Sequence, residues 1–201
     1  MKLYHGSTIN IEDDYLKPNL PFKTFGYEPS IYFTTRYELA LMYAINPIRA
    51  YIKKNNIKGT ANAFSAYFKF NKKKNKIILY ECYEGMLNEA YNNLAYIYVV
   101  NKDNIEEQNL DETGCKFSEP VKYDEKLTIK NVLDELLKLE KNNIIEIIRY
   151  IELTESDKYY LFDSIGSRAS CCEHEAEILF FQEKFADNYE VFHQIKLNKT
   201  I

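Results

Sequence analysis

The chain has 201 residues, a net charge of −4 and 46% hydrophobic residues, enough to bury a core. No run of about 18 uncharged apolar residues occurs, so no helical membrane span is expected, and the opening MKLYHGSTINIEDD lacks a signal peptide's apolar stretch. A cytoplasmic protein is therefore the expectation, with no dominant phosphate-binding surface advertised and, among four cysteines without a CxxC pair, no zinc site.

In chain order, Lys2-Leu3-Tyr4 reads as a short strand running into His5-Gly6-Ser7. Residues 9–30 carry three prolines and read as loop. Ile31-Tyr32-Phe33-Thr34 is β-branched and aromatic, a strand. Thr35 with Glu38 has the spacing of a capping box, which predicts a helix over 36–44 that ends or bends at Pro47, with a second helical piece over 48–54. The segments 64–70 and 76–82 predict a hairpin, 85–94 a short helix and 95–100 a strand. Residues 101–120 read as polar loop, and 130–142 as an amphipathic helix. The stretch 144–150 is open between helix and strand, 153–173 reads as irregular, and 177–181 and 189–195 read as the last two strands. One α+β domain over 1–201 fits this order, with a candidate insert around 101–170.

Three patterns bear chemistry. They are His5-Gly6-Ser7, the Tyr32-Phe33 strand end followed by a helix with Tyr43, and the acidic approach Glu173-His174-Glu175-Ala176-Glu177 to Ile178-Leu179-Phe180. Singly, each has a plain structural reading: a turn histidine, two core tyrosines among 18, solvated acids. Together and in this order they resemble the H-Y-E type of ADP-ribosyltransferase, which includes the poly-ADP-ribose polymerases and diphtheria-toxin-like enzymes. Tyr43 follows Tyr32 by eleven residues, the offset usual in that family. The likeness covers about 30 residues at three places, and 48–170 match nothing in it.

The resemblance implies a fold of split antiparallel β-sheets with flanking helices. It implies NAD+ as co-substrate, no metal, and transfer of ADP-ribose to a macromolecular acceptor with release of nicotinamide. Mono-ADP-ribosylation is the simplest form, with protein favoured over nucleic acid as acceptor. An antitoxin or inhibitor partner would suit the toxin-like setting, and no membrane is implied. His5 would bond a ribose hydroxyl, Gly6 and Ser7 would hold the carboxamide, and Tyr32 and Tyr43 would sandwich the cationic ring, a contact worth about 0.5–2 kcal/mol. Glu177 is the first choice for the catalytic carboxylate. Glu175 is the second choice, or else the acid that orients the acceptor. On a continuing strand Glu173, Glu175 and Glu177 would share one face. Arg36 and Arg168 are lesser candidates for the pyrophosphate, and His174 and His193 read as a charge partner and a packed side chain. A catalytically silent module of the same fold, an NAD+ glycohydrolase and an unrelated α+β binding domain are the competing readings.

Overall fold

A computed structural model describes residues 1–18, 29–57, 68–101, 114–158, 160–161 and 175–185; at 48, 175–178 and 181 it describes the backbone alone. The fold is mixed α+β, with mainly antiparallel sheets and several helices. The chain divides into two compact units, one of residues 1–45 and 91–142, the other of 46–90 and 143–201.

The first unit is built on a five-stranded antiparallel sheet. Its strands are β1 (Lys2–Ser7), β3 (Ile31–Thr34), β6 (Ala95–Asn101), β7 (Gly114–Phe117) and β9 (Glu125–Ile129), in the order β7-β3-β1-β6-β9. Central β1 pairs along its whole length with β6, from Lys2↔Asn101 to Ser7↔Tyr96. Strands β2 (Tyr15–Leu16) and β8 (Val121–Lys122) form a separate ribbon. Alternation sorts the sheet into two faces. Leu3, Phe33, Ile31, Tyr98, Val100 and Cys115 point to one side and close on Leu16 and Val121 as a core cluster. Each fully buried Leu or Phe of this kind contributes about 1.5–3 kcal/mol. Helix α1 (Tyr37–Ala44) packs against β1 on the other face. Helix α3 (Val132–Lys141) starts where the Asn131 side chain accepts from the Asp134 N–H, and it buries Val132, Leu136 and Leu139.

The second unit holds a three-stranded sheet in the order β10-β5-β4, from β4 (Phe68–Asn71), β5 (Lys76–Tyr80) and β10 (Ile145–Ile148). β4 and β5 form the expected hairpin over 68–80, with Asn75 taking the left-handed conformation in its turn; 64–67 lie outside the described residues and β5 ends at Tyr80, before 81–82. β10 runs parallel to β5, which settles 145–148 as strand. Helix α2 (Pro47–Lys54) and helix α4 (Glu175–Lys184) pack on one another in this unit.

Several expectations are corrected. Pro47 opens α2 rather than ending α1, because a proline lacks the N–H that a first-turn residue leaves unbonded anyway. The capping box at Thr35 does not form. Arg36 is the cap residue, Thr34 Oγ1 accepts its N–H, and Glu38 turns back to the Arg36 guanidinium at 2.6 Å. Within 85–94 the chain makes a single π-helical turn, Leu87–Tyr91. Loop 101–120 contains β7, whose short alternation sends Cys115 inward and Lys116 outward. The run at 177–181 is helix, not strand. Glu, Ala, Leu, Gln and Lys favour helix, and the apolar run is not evenly inward: Phe180 is fully buried and Leu179 exposed. The strand expected at 189–195 lies outside the described residues.

Candidate functional site

His5, Gly6, Ser7, Tyr32 and Tyr43 all belong to the first unit, on β1, β3 and α1, with the His5 side chain on the face of Leu3 and Phe33 and Tyr32 on the face where α1 packs. The junction of β1 with β3 is the key. The two strands are bridged at Tyr4↔Thr34 alone. Continuing that register would set Gly6 opposite Tyr32, but the bridging stops short of this pair. Instead the Tyr32 carbonyl accepts a hydrogen bond from His5 Nδ1 at 2.8 Å. A carbonyl can only accept, so Nδ1 carries the proton, and in the neutral ring Nε2 is left as an acceptor. Backbone polar groups alternate sides along a strand. With the Tyr32 carbonyl facing β1, the Thr34 and Tyr4 groups face each other. By the same alternation the Gly6 N–H and C=O point towards β3, into the notch beside Tyr32.

The imidazole sits between Phe33 and Tyr98 on the neighbouring strands, with centroid separations of 5.8 and 6.2 Å. Burial there lowers its pKa below the ordinary 6.5, and the bond to the Tyr32 carbonyl opposes this in part. Burial thus favours the neutral imidazole.

Gly6 has a packing role that the sequence did not disclose. A Cβ there would lie 1.9 Å from the Ala40 carbonyl oxygen and 3.0 Å from Ala44 Cβ. The bare backbone lets α1 lie directly on β1 at Ala40 and Ala44. Tyr32 and Tyr43 are 56% and 54% exposed, which removes the reading of either as a core tyrosine. Ser7 Oγ accepts the Ile9 N–H and so turns the chain out of β1.

The loop that follows is fixed by residues not singled out in the sequence. The Tyr98 hydroxyl accepts from the Ile11 N–H at 2.7 Å and donates to the Ile9 carbonyl at 2.9 Å. Lys126 Nζ donates to Asn10 Oδ1 and the Ile11 carbonyl. Tyr98 was hidden among 18 tyrosines; its signal was its place directly across from His5 in a strand pair.

Glu175 and Glu177 belong to α4 of the second unit. Positions two apart on a helix lie on opposite sides of its axis, so these two do not share the face that a strand would give them. This corrects the strand-based pairing of the two acids. Arg36, a candidate for phosphate, is engaged with Glu38. Glu173, Arg168, His174 and His193 lie outside the described residues.

No family model matches the chain, and no similar curated protein or solved structure was found. The geometry therefore carries the functional argument.

In the second unit, side chains hold α4. Tyr51 donates to Glu183 at 2.6 Å, and Lys184 pairs with Glu89 at 2.9 Å while lying over the rings of Tyr51 and Tyr83. Burial first, then Glu183, pushes the Tyr51 pKa up to about 12. Phe180 fills the space between Tyr51, Tyr83 and Phe185. Among the described residues no group of His, Cys, Asp and Glu could hold a metal ion, and no helix is long and apolar enough to cross a membrane.

Proposed function

We propose that the chain binds NAD+ at the β1–β3 notch and transfers ADP-ribose from it to a macromolecule, on an ADP-ribosyltransferase-like fold. The observation that supports this is the unbridged notch itself. The Gly6 backbone, the His5 imidazole and the exposed Tyr32 meet at one strand junction, and the helix packed on β1 carries a second exposed tyrosine, Tyr43.

Each part matches a part of the dinucleotide. An amide needs one acceptor and one donor side by side, and a glycine backbone at a strand end offers both. A cationic nicotinamide ring is favoured between aromatic faces. His5 Nε2, neutral and aimed away from the Tyr32 carbonyl, suits a ribose hydroxyl donor. Nicotinamide departure leaves an oxocarbenium-like ribose, which a carboxylate stabilises electrostatically. Glu177 is assigned that task, with Glu175 as second choice.

One observation favours a second reading. Position 177 lies on a helix, whereas the family's acid begins a strand. A silent NAD+- or ADP-ribose-binding module is the outcome if neither acid reaches the ribose.

A single assay separates the two. The protein is incubated with labelled NAD+ and cell lysate, and label transfer and free nicotinamide are both followed. Transfer that falls about a hundredfold in Glu177→Gln supports the transferase with that acid. Nicotinamide release without transfer indicates a glycohydrolase. NAD+ binding by calorimetry with neither product indicates the silent module. No NAD+ binding, in the wild type and in Tyr32→Ala alike, ends the whole reading.

A further inference from the structure

Lys116 stands directly across from Tyr32 in the β3–β7 pair. Directly opposed residues of antiparallel strands present their side chains on the same face, with Cβ atoms about 5 Å apart. Because the Tyr32 carbonyl faces β1, Tyr32 and Lys116 form the closer, non-hydrogen-bonded type of pair. Lys116 is exposed, and among the described residues its ammonium has no carboxylate or hydrogen-bonding partner. Elsewhere in the unit Arg36 is committed to Glu38, Lys126 to the loop after β1, Lys138 to Glu135 and Lys17 to Asp13, while the exposed Lys122, Lys130 and Lys141 lie outside β3 and β7. Lys2 lies at the far end of β1.

An exposed ammonium beside a ring that stacks a cation repels that cation weakly, and an anion carried with the cation offsets this. A dinucleotide brings one, since its phosphates lie one ribose away from the nicotinamide ring. We propose that Lys116 forms an anion subsite at the edge of the notch and takes a phosphate of the bound dinucleotide. Tyr32 then selects the ring, and its cross-strand neighbour selects the charge that the ring carries behind it. This rests on the NAD+ reading above.

The test compares a ligand with phosphates and one without, which share the cationic ring and its ribose. Binding of NAD+ is measured by calorimetry, and nicotinamide riboside by its displacement of NAD+. Lys116→Ala should weaken NAD+ about fivefold and leave the riboside unchanged or slightly tighter. Lys116→Glu should weaken NAD+ about twentyfold, and Lys116→Arg should restore it. The fivefold loss should shrink as salt is raised. Unchanged NAD+ affinity in Lys116→Ala, or an equal loss for both ligands, overturns the subsite. In either case a wild type that binds NAD+ and loses it in Tyr32→Ala leaves the underlying reading standing. A wild type without NAD+ binding removes both.

Discussion

The two units hold their candidate residues by different means. In the first, backbone geometry does it: a strand paired along its length, one bridge to β3, a histidine bonded to a main-chain carbonyl, and a glycine pressed against a helix carbonyl. In the second, α4 is held by side chains: a tyrosine on a carboxylate, a lysine between acids and aromatic rings, and a phenylalanine in an aromatic pocket. A backbone-held site resists pH and salt but tolerates no added atom. A side-chain-held helix tolerates substitution by degrees and responds to charge.

The sharpest break of this comparison is Gly6→Ala. The added methyl meets backbone, which cannot rotate away, so a loss of about 3 kcal/mol is expected in urea unfolding. A loss under about 1 kcal/mol would mean that α1 slides freely on β1, and the first unit would not be backbone-held. Next comes Lys184→Ala. It leaves Glu89 without its nearer cation in a largely buried site, and about 2 kcal/mol should be lost, less at high salt. Amide exchange across β1 and β6 should stay unchanged in that variant. Tyr98→Phe should cost about 1 kcal/mol and speed exchange at Ile11, whose N–H loses its acceptor.

The smallest effect is the pH response of His5. Its folded pKa lies below 6.5, so the unfolded chain binds the proton more tightly. The stability from the neutral ring is therefore complete above pH 6.5 and declines as the pH falls through the folded value. A pH titration of unfolding should show this slope in the wild type and a flatter one in His5→Gln. The opposite slope would place a carboxylate against the ring.

Much of the first unit was legible. The strands at 2–7, 31–34 and 95–101 and the helices at 37–44 and 132–141 follow from apolar spacing that tertiary packing reinforces. The placement of His5 and Gly6 on a strand, Tyr32 on a strand and Tyr43 on a helix was legible too. Three things were not legible. β7 and β9 are mostly exposed, so their pattern is carried by one or two inward residues such as Cys115. The helix at 175–184 was masked by Ile178-Leu179-Phe180-Phe181, whose strand-like composition outweighed the helix formers around it. The packing role of Gly6 depends on where Ala40 lies, which no local pattern states.

The parallel pairing of β10 with β5 bears on how the chain is made. β5 ends at Tyr80, and its parallel partner begins at Ile145, after every residue of the first unit's sheet has been synthesised. Growing from its N-terminus, the nascent chain can close the first sheet while β5 still has one side open. An unpaired strand edge invites pairing with other chains. A ribosome stalled near residue 142 would thus release a product whose notch is whole and whose second sheet is a template for aggregation.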